Sequence, residues 1–443
     1  MSGLPLGRAP LVMLALFVFS ATMILRRPAP PARQIEFWTF AQTHYDEYQA
    51  RKAEFEKRHP GVTVRLQLMQ GSILRDKLVA AFLSETAAPD LVEVEIGDVG
   101  RFFQGRPSDI GFADLTDRLQ SEGWIQKMIA ARFVPWSNRG RIYGVPHDLH
   151  PVVLFYRHDL FTKAGIDLPK EVETWEDFLK VMNRPGVLDS RRDGRRDRYG
   201  IMLAAHDATH FRPLLVQRGG DYFDAQGRVT FDSPLGVDTL AFLRDLIKQD
   251  HVVFRQPINW GPDMYGPMKE DRLLCAFTPD WFVGLIKKNA PELAGKWRGM
   301  PLPAWERGGR RTTTHGGTMI GLTRQAEQPD LAWELLKFYY FDRDALVTRY
   351  ATTRIIPPLR AAWSGPVFSE PDPYTGGQRL GRLFVSLADD VPPVHQNKFY
   401  AEANTLLGPA VYAVFNQGAD PARELKRVAD ELRRKQAKDR FAR

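Results

Sequence analysis

Ala88-Pro89-Asp90-Leu91-Val92 ends a strand–helix–strand–helix–strand pattern near the start of a 443-residue chain. Further along stands Arg141-Ile142-Tyr143-Gly144-Val145-Pro146, and an apolar run then reaches Phe155-Tyr156. This order predicts one α/β lobe whose chain continues into a second lobe. The length also exceeds what one small core needs, so two compact lobes are expected. A cleft between two lobes is a common place for a small ligand.

The first lobe is predicted from alternating strand and helix patterns. Residues 35–40, 62–68 and 91–96 have apolar patterns typical of strands, and two helical patterns separate them. Strands joined by helices of this length favour right-handed crossovers and a mostly parallel sheet. In such sheets ligands bind beyond the carboxyl ends of the strands. The loops 39–45 and 95–98 are therefore expected to lie at a binding site.

The second region begins near Pro146 and contains several helix signals. Thr174 and Asp177 have the spacing of a capping box, and Ser233-Pro234 is typical of a helix start. Residues 331–340 form another helical pattern, and Pro421 begins a last one with a narrow apolar stripe. No internal repeat is visible.

The formal net charge of +8 is concentrated at the two ends of the chain. Residues 1–33 carry four arginines and no acid, and residues 420–443 carry nine Lys or Arg against five Asp or Glu. In residues 34–419, basic and acidic side chains are equal in number. The densest charged run, 191–198, interleaves Asp with Arg around a glycine, which is typical of a solvated turn. A nucleic-acid partner is therefore not expected.

The first 33 residues are predicted to be an export signal or an N-terminal membrane anchor. Residues 11–25 are apolar except for Ser20 and Thr22, a length that fits a signal-peptide core better than a membrane span of roughly 20 residues. The proline-rich residues 28–31 are typical of a stiff spacer. No clean small-residue cleavage site follows the apolar run, and more arginines follow the run than precede it. Cleavage and retention as an anchor therefore both stay open.

The sequence contains none of the common motifs for nucleotide binding, zinc proteolysis or serine hydrolysis. His206 and His210, and likewise His147 and His150, have spacings that metal pairs use, but no further ligands cluster with them in sequence. The single cysteine, Cys275, lies in an apolar run, so a buried and inert thiol without a disulfide is expected. The sequence favours no metal site, no cofactor and no enzymatic activity.

Taken in order, these motifs resemble those of the extracytoplasmic solute-binding proteins of ABC importers, in particular the sugar-binding group related to maltose-binding protein. Each match is weak alone, but together they follow the family's order over most of residues 34–435. The matching features are Phe37-Trp38, Phe55 with His59-Pro60-Gly61-Val62, Ala88-Pro89-Asp90-Leu91, Tyr143-Gly144-Val145-Pro146, Leu154-Phe155-Tyr156-Arg157-His158-Asp159-Leu160-Phe161, Ala164-Gly165-Ile166, Thr174-Trp175-Glu176-Asp177-Phe178, Gly219-Gly220, Phe231-Asp232-Ser233-Pro234, Asp280-Trp281, Pro301-Leu302-Pro303, Gly316-Gly317 and residues 332–338.

The resemblance implies a two-lobe α/β fold in which each lobe is a mostly parallel sheet flanked by helices. One lobe would hold residues 34–148 and 316–353, and the other residues 149–315 and 354–435, leaving 436–443 as a charged tail. The solute would lie between the lobes, and closure would present a surface to a membrane permease. A monomer in the periplasm, or at the outer face of the cytoplasmic membrane, is implied as well.

Sugars present apolar C–H faces and rings of hydroxyl groups, so their sites combine aromatic side chains with fixed polar groups. Trp281 matches the stacking tryptophan of the family's second lobe and is expected to contact the ligand. Trp260, in a loop with glycine and proline, is a weaker candidate. Trp175 and Trp333 lie in helical patterns and are expected in the core.

Four polar candidates lie at the ends of predicted strands. Gln42 and Thr43 follow the first strand, where either ligand contact or helix capping would explain them. Glu95 and Asp98 end the third strand, where a buried carboxylate needs a partner. A sugar hydroxyl or Arg101 could supply that partner.

The remaining ligand-binding candidates are Asp148, His150, Asp207, Asp280, Gly316, Gly317 and Arg354. Asp148, His150 and Arg354 would stand where the chain crosses between lobes, and Arg354 could equally form an interlobe ion pair. Asp207 matches an acidic position ahead of Gly219-Gly220, and Asp280 stands beside Trp281. The glycine pair would let the backbone approach a ligand closely, although a simple turn also explains it.

These features predict the substrate-binding component of a sugar ABC importer, which captures a mono- or oligosaccharide by hinge closure. The same fold could instead bind a polyamine, a metal chelate or a peptide. A carbohydrate-active enzyme and a sensory partner of a membrane receptor are further alternatives. Aromatic side chains with neutral polar groups favour a sugar, whereas clustered carboxylates or tyrosines would favour the other solutes.

Overall fold

The computed structural model describes residues 13, 33–86, 88–255 and 262–439. Most of the predicted signal or anchor therefore lies outside the described residues, and so does Trp260. Within the described part of the chain, no helix is both long and apolar enough to cross a membrane.

The described strands form two five-stranded sheets and one short hairpin. In chain order they are β1 (Arg33–Thr39), β2 (Val62–Leu68), β3 (Leu91–Glu95), β4 (Ser137–Asn138), β5 (Arg141–Ile142), β6 (Val145–Pro146), β7 (Val152–Arg157), β8 (Tyr199–Met202), β9 (Val253–Phe254), β10 (Leu273–Pro279), β11 (Trp297–Pro301) and β12 (Thr318–Leu322). The first sheet has the order β2-β1-β3-β12-β6, the second has the order β11-β7-β10-β8-β9, and β4 pairs with β5. We call the parts of the molecule built on these two sheets the first lobe and the second lobe.

Helices cover both sheets. In chain order they are α1 (Gln42–Arg58), α2 (Gly71–Ser84), α3 (Ile96–Val99), α4 (Thr116–Ser121), α5 (Trp124–Lys127), α6 (His158–Lys163), α7 (Leu168–Glu171), α8 (Trp175–Met182), α9 (Phe211–Gln217), α10 (Pro234–Lys248), α11 (Gly266–Lys269), α12 (Asp280–Asn289), α13 (Pro329–Tyr340), α14 (Arg343–Thr353), α15 (Leu380–Ser386), α16 (Tyr400–Asn416) and α17 (Pro421–Lys438).

The first sheet combines a local parallel unit with strands that return from elsewhere. β1 runs parallel to β2 and to β3, as the alternating strand and helix patterns predict. β12 is antiparallel to both β3 and β6. Because β12 arrives from the second lobe and not through a local crossover helix, the rule for parallel crossovers does not constrain its direction. The sheet is therefore mixed, where the sequence predicted a mostly parallel one.

The second sheet is also mixed, and its central strands are fully enclosed. β10 is antiparallel to β7 and parallel to β8, while β11 is antiparallel to β7. Every residue of β7 and of β10 is buried. Such continuous burial is typical of strands covered on both faces. Cys275 lies in β10 as a free, buried thiol, and burial raises its pKa well above the usual value, in agreement with the expectation of an inert thiol.

Local sequence signals place several helix ends. Thr174 and Asp177 form the predicted capping box at the start of α8, because each side chain bonds the other's backbone N–H. The Ser233 hydroxyl accepts a hydrogen bond from the N–H of Gly236 at the start of α10. The expected loops at 39–45 and 95–98 are wrong, since α1 already begins at Gln42 and α3 covers Ile96–Val99.

The described chain passes between the lobes in neighbouring segments, after β6, before β12 and after α14. Leu149 donates its backbone N–H to the carbonyl of Ile356 over 2.9 Å. Pro151 pairs with Thr314 in an isolated antiparallel bridge. These contacts tie the crossing segments together and place them on one side of the gap between the lobes.

Candidate ligand-binding site

A cavity of about 460 Å³ lies between the two lobes, beyond the carboxyl end of β3. Its first-lobe wall is the turn from β3 into α3, and most of its second-lobe wall comes from residues around α9 and α16. Its position is the one expected for a ligand of an α/β sheet. Its polar and aromatic lining consists of Glu95, Asp207, Thr209, Arg212, Tyr222, Trp281, Thr314, His315, Tyr400 and Asn404.

Three aromatic side chains of the second lobe line the cavity. Trp281 is half-buried, and its indole N–H donates to the carbonyl of His315 over 3.0 Å. The rings of Tyr222 and Tyr400 lie 6.0 Å apart. The Tyr222 hydroxyl is buried and has no hydrogen-bond partner among the described residues. The half-buried rings of Trp281 and Tyr400 therefore offer flat apolar faces to the cavity, which suit the C–H faces of a ligand, whereas the fully buried Tyr222 supports the wall.

Glu95 brings a carboxyl group into the cavity from the end of β3. Its Oε2 accepts a hydrogen bond from the N–H of Gly97 over 2.5 Å, which caps α3. Burial raises the pKa of Glu95 from its usual 4.5 to about 7. None of the ion pairs between described residues involves Glu95. The cavity thus contains a carboxyl group whose charge changes near neutral pH.

Arg212 of α9 is held by an ion pair, so its charge is already balanced. Its Nε and Nη2 donate to the two carboxylate oxygens of Asp221 over 2.7 and 3.2 Å. Nη2 also donates to the carbonyl of His395 over 2.9 Å, and the guanidinium lies 4.4 Å from the ring centre of Tyr400. Arg212 therefore fixes the segment 394–400, which forms one side of the cavity.

Four predicted ligand residues meet at this cavity: Glu95, Asp207, Trp281 and Gly316. Asp207 accepts a hydrogen bond from the N–H of Thr209 over 2.8 Å. Gly316 has a left-handed backbone, with φ of 92°, and an added Cβ would lie 3.4 Å from both His150 and Trp281. A glycine is required there because other residues rarely adopt this conformation.

Three more predicted residues, Asp148, His150 and Asp280, bind one another behind the cavity. The His150 ring lies between the two carboxylates, with Nε2 3.1 Å from Asp148 and Nδ1 2.6 Å from Asp280. Arg132 donates to Asp148 over 2.8 Å, and Asp280 accepts from the N–H of Ile356 over 2.6 Å. The cluster joins the crossing segments, and its side chains do not line the cavity.

The protonation of this cluster follows from its charges. Burial alone lowers the pKa of His150, but the carboxylates of Asp148 and Asp280 outweigh burial and raise it to about 9. His150 is therefore a cation at neutral pH. Burial raises the pKa of Asp148, but His150, His147 and Arg132 together hold it well below the usual value. A buried cation between two buried carboxylates is a structural bridge across the crossing segments.

The structure places the other predicted residues outside the cavity. Gln42 and Thr43 are exposed on the first turn of α1, and Gln42 bonds Asp46. Asp98 pairs with Arg101 over 3.1 Å. Arg101 was one of the two partners expected for a carboxylate here, the other being a sugar hydroxyl. Gly317 packs against Arg132. Arg354 ends α14 in a left-handed conformation and lies 3.8 Å from Asp372. Trp260 is outside the described residues.

Sequence reasoning missed Arg212, Tyr222 and Tyr400 as lining residues. Tyr222 lies just after the Gly219-Gly220 turn, which was a recognised motif and could have indicated it. Tyr400 begins α16, and only the packing of α16 against α3 brings it to the cavity. No local pattern marks Arg212 or Tyr400.

The two histidine pairs whose spacing a metal could use have protein groups as neighbours. His206 contacts the carbonyl of Arg255, whereas the Nδ1 of His210 accepts from the N–H of Ala204. His147 stacks on His44 at 3.9 Å between ring centres, and its Nδ1 lies 3.5 Å from Oδ2 of Asp148, the oxygen that Nε2 of His150 approaches at 3.1 Å.

His44, Glu93 and His147 are the one group among the described residues whose donor atoms come close enough to hold a metal ion. Glu93 already accepts hydrogen bonds from Tyr48 and Tyr340, with oxygen–oxygen distances of 2.5 and 2.7 Å. Burial lowers the pKa of His147 to about 3, so this histidine is neutral. These hydrogen bonds account for the Glu93 carboxylate, whereas neither ring nitrogen of the buried His147 has a hydrogen-bond partner among the described residues.

A family model described as bacterial extracellular solute-binding protein matches residues 41–345. The arabinooligosaccharide-binding protein of Bacillus subtilis (strain 168) is 26% identical over 414 residues, which cover 91% of this chain and 92% of that protein. The lactose-binding protein of Rhizobium radiobacter is 23% identical over 421 residues, which cover 93% of this chain and 95% of that protein.

Solved structures show the same fold. The sugar-binding protein MalE of Xanthomonas citri aligns with a TM-score of 0.76 at 17% identity, over 92% of this chain and 98% of that chain. The ABC transporter associated binding protein of B. animalis subsp. lactis Bl-04, in complex with β-1,6-galactobiose, aligns with a TM-score of 0.72 at 19% identity, over 93% of this chain and 99% of that chain. The likeness confirms the predicted two-lobe α/β fold.

Proposed function

Because this chain belongs to the family of bacterial extracellular solute-binding proteins, we propose that it is the substrate-binding component of an ABC importer for a neutral sugar. The observation that carries the proposal is the composition of the cavity between the lobes. Trp281 and Tyr400 supply aromatic faces, while Glu95 and Asn404 supply hydrogen-bonding groups. This combination matches the C–H faces and hydroxyl groups of a sugar.

The names of the relatives support a sugar and point to short chains of sugar units. One relative is named for arabinooligosaccharides and another for lactose. A cavity of about 460 Å³ is within the size range of small-ligand pockets, roughly 300–1,000 Å³. Mono-, di- and short oligosaccharides are therefore the ligands to test first.

Hinge closure is the mechanism that we propose. A ligand in the cavity contacts Glu95 of the first lobe and Trp281 of the second, so it favours the closed arrangement by its greater affinity for that state. The bridge of Asp148, His150 and Asp280 holds the crossing segments about which the lobes would turn. No covalent step is involved, and the protein is proposed to release its sugar unchanged.

The setting of this function is also proposed. The family is extracellular, and the apolar residues 11–25 support export to the periplasm or tethering at the outer face of the cytoplasmic membrane. A permease in that membrane would receive the sugar from a monomer. We propose lobes made of 34–148 with 316–353 and of 149–315 with 354–435. Sheet membership supports the assignment of the strands within 33–146 and 318–322 to one lobe and within 152–301 to the other, and packing of residues 403–432 into the second-lobe core supports their place there.

A cationic solute is the competing ligand, because Glu95 and Asp207 place two carboxyl groups at the cavity. A thermal-shift panel of neutral sugars, diamines and metal chelates separates the two possibilities. At a ligand concentration 100 times Kd, binding stabilises the folded state by about 2.7 kcal/mol. Stabilisation by a neutral sugar supports the proposal, whereas stabilisation by a diamine or chelate alone would contradict the sugar assignment.

Trp281→Ala tests the cavity as the place of binding. Loss of the aromatic face is expected to weaken sugar affinity roughly tenfold or more, about 1.4 kcal/mol for each factor of ten. Trp363→Ala is the matched control, because this half-buried tryptophan also donates its indole N–H to a backbone carbonyl but lies outside the cavity. Calorimetric titration gives both affinities, and equal losses in the two variants would argue against binding at Trp281.

A further inference from the structure

Three side chains from separate segments of the first lobe meet in its core. His44 lies in the first turn of α1, Glu93 in the middle of β3 and His147 directly after β6. The exposed fraction of each side chain is 7% or less. One nitrogen or oxygen atom of each side chain lies within 4.8 Å of those of the other two. Two histidines and a carboxylate are a ligand set that proteins use for zinc.

His147 is the residue that points to a bound ion. Its ring is fully buried, and neither Nδ1 nor Nε2 forms a hydrogen bond with a described residue. The ring instead stacks on that of His44, with 3.9 Å between ring centres. A buried imidazole without a polar partner costs free energy, and native structures seldom contain one without a reason. A bond from one ring nitrogen to a metal ion would supply that partner.

Asp148 stands where the other nitrogen of this ring would need a partner. Nδ1 of His147 lies 3.5 Å from Oδ2 of Asp148 and forms no hydrogen bond with it. A histidine that binds a metal through one nitrogen usually donates the N–H of the other to a carboxylate or a carbonyl. A small shift of the His147 ring would therefore give it both a metal bond and a hydrogen bond to Asp148.

Glu93 supplies a buried negative charge that no described lysine or arginine pairs with. Three hydroxyl groups donate hydrogen bonds to its carboxylate, those of Thr39, Tyr48 and Tyr340. The nearby Arg349 is already bound to Glu47, with 2.8 Å between Nε and Oε2. Burying a charge without a compensating one is costly. A divalent cation between Glu93 and the two imidazoles would balance this charge.

The spacing of the three side chains is close to that of a zinc site. Tetrahedral zinc bonds of about 2.0–2.2 Å hold the ligand atoms about 3.4 Å apart. Nδ1 of His44 and Oε2 of Glu93 already lie 3.1 Å apart. The ring of His147 would have to approach them by about 1 Å to reach zinc-bond distances, and no hydrogen bond of that ring to a described residue opposes the movement.

We propose that His44, Glu93 and His147 bind a zinc ion within the first lobe. The ion would join α1, β3 and the start of the segment that crosses to the second lobe. Because the site is buried, the ion would be bound as the chain folds and would stabilise the folded state. The three side chains do not line the cavity between the lobes, so the inference is independent of the sugar that this cavity binds.

Metal content and melting temperature of the full-length protein test the inference. The protein is unfolded in guanidinium chloride with EDTA, refolded with or without a small excess of ZnCl2, and desalted. The wild type is expected to retain about one zinc ion per chain. Zinc at 100 times Kd is expected to raise the melting temperature by about 3–6 °C. The metal content of protein purified from a zinc-supplemented culture is measured in parallel, so the test does not depend on refolding.

His147→Phe keeps a ring that can stack on His44 and removes both nitrogens. Because neither nitrogen is hydrogen-bonded to a described residue, the zinc-free variant is expected to melt at the temperature of the zinc-free wild type or above it. Zinc retention and the rise in melting temperature are both expected to be lost. His44→Gln is a second variant with the same expected loss, and its amide can still donate to Glu93. His206→Ala is the matched control, because this exposed histidine contacts the carbonyl of Arg255 and lies outside the group.

Zinc retention that depends on His147 and His44 but not on His206 supports the inference. Absence of zinc from the wild type in both preparations would overturn it, and so would a His147→Phe variant that retains as much zinc as the wild type. A loss of zinc in His206→Ala equal to that in His147→Phe would show binding by exposed histidines, which also overturns the inference. None of these outcomes affects the proposed function, whose test is the affinity for neutral sugars.

Discussion

Glu95 shows how the fold changes the chemistry of one residue. The sequence predicts its place at the end of a strand, and the structure puts it there. Its surroundings depend on the second lobe, since the other wall of its cavity comes from α9, α12 and α16. Burial in that gap keeps the carboxyl group protonated over a wider pH range than in water and raises its pKa to about 7.

The raised pKa of Glu95 predicts how stability depends on pH. Between pH 4.5 and 7 the folded protein holds a proton at Glu95 that the unfolded chain releases, so this group favours folding less as pH rises. Glu95→Gln removes the titration. Relative to wild type, the variant is expected to gain about 1–3 kcal/mol of unfolding free energy between pH 5 and pH 8. Urea unfolding at the two pH values measures this gain.

The comparison between variant and wild type cancels the titration of all other groups. A difference in unfolding free energy that is the same at pH 5 and pH 8 would show that the pKa of Glu95 is not raised. A ligand hydroxyl that donates to the Glu95 carboxylate favours the charged form, so sugar binding near pH 7 should release protons.

The residues behind the cavity show a limit of reading sites from sequence. Asp148 and His150 were predicted to bind the ligand because they stand where the chain crosses between lobes, and Asp280 because it stands beside Trp281. The structure pairs them with one another instead, over 2.6 and 3.1 Å. Asp280 lies far from the other two residues in sequence. Only the packed structure shows that its carboxylate pairs with the His150 ring.

At the scale of elements, the two lobes come closest where α3 and the turn after it meet the segment 397–400, which leads into α16. A Cβ added to Gly100 would lie 2.2 Å from the carbonyl oxygen of Asn397. A Cβ added to Gly97 would lie 3.6 Å from Tyr400. The backbones of the two lobes therefore approach closely at a glycine.

Gly100→Ala tests whether this contact belongs to the closed arrangement. Gly100 has an ordinary helical backbone, with φ of −56°, so alanine causes no local strain. The added methyl group is expected to keep the lobes apart and to weaken sugar affinity roughly tenfold or more, with little change in melting temperature of the free protein. Calorimetry and thermal unfolding measure the two quantities.

Gly266→Ala is the matched control for Gly100→Ala, because a Cβ added at Gly266 meets nothing within 4 Å. Unchanged sugar affinity in Gly100→Ala would mean that the contact with Asn397 is not required for binding. An equal loss in both variants would point to a general effect of the substitution.

Elements defined by neighbouring residues were predicted well, and elements defined by distant ones were not. The capping box of Thr174 and Asp177 and the parallel unit of β1, β2 and β3 follow from local patterns. The pairing of β12 with β3 joins residues more than two hundred positions apart, and no local pattern states the direction of such a strand.

At the scale of the whole molecule, the ordered combination of motifs predicted the fold, although each motif alone was weak evidence for it. The family membership and the two-lobe fold are confirmed. The ordered set of weak motifs was sufficient for this, since a fold depends on the order and spacing of its elements. The site depends on which side chains the two lobes bring together, and that depends on packing across the gap.

The distance between the lobes, with and without sugar, tests hinge closure directly. Leu83 and Thr405 are exposed and face the same groove from opposite lobes. Spin labels on Leu83→Cys and Thr405→Cys report that distance, while the native Cys275 is buried. If the lobes close on a sugar, saturating neutral sugar shifts the label distances toward a shorter, narrower distribution, and the sugar is recovered unchanged. The same distribution with and without bound sugar would contradict closure of the lobes on a sugar.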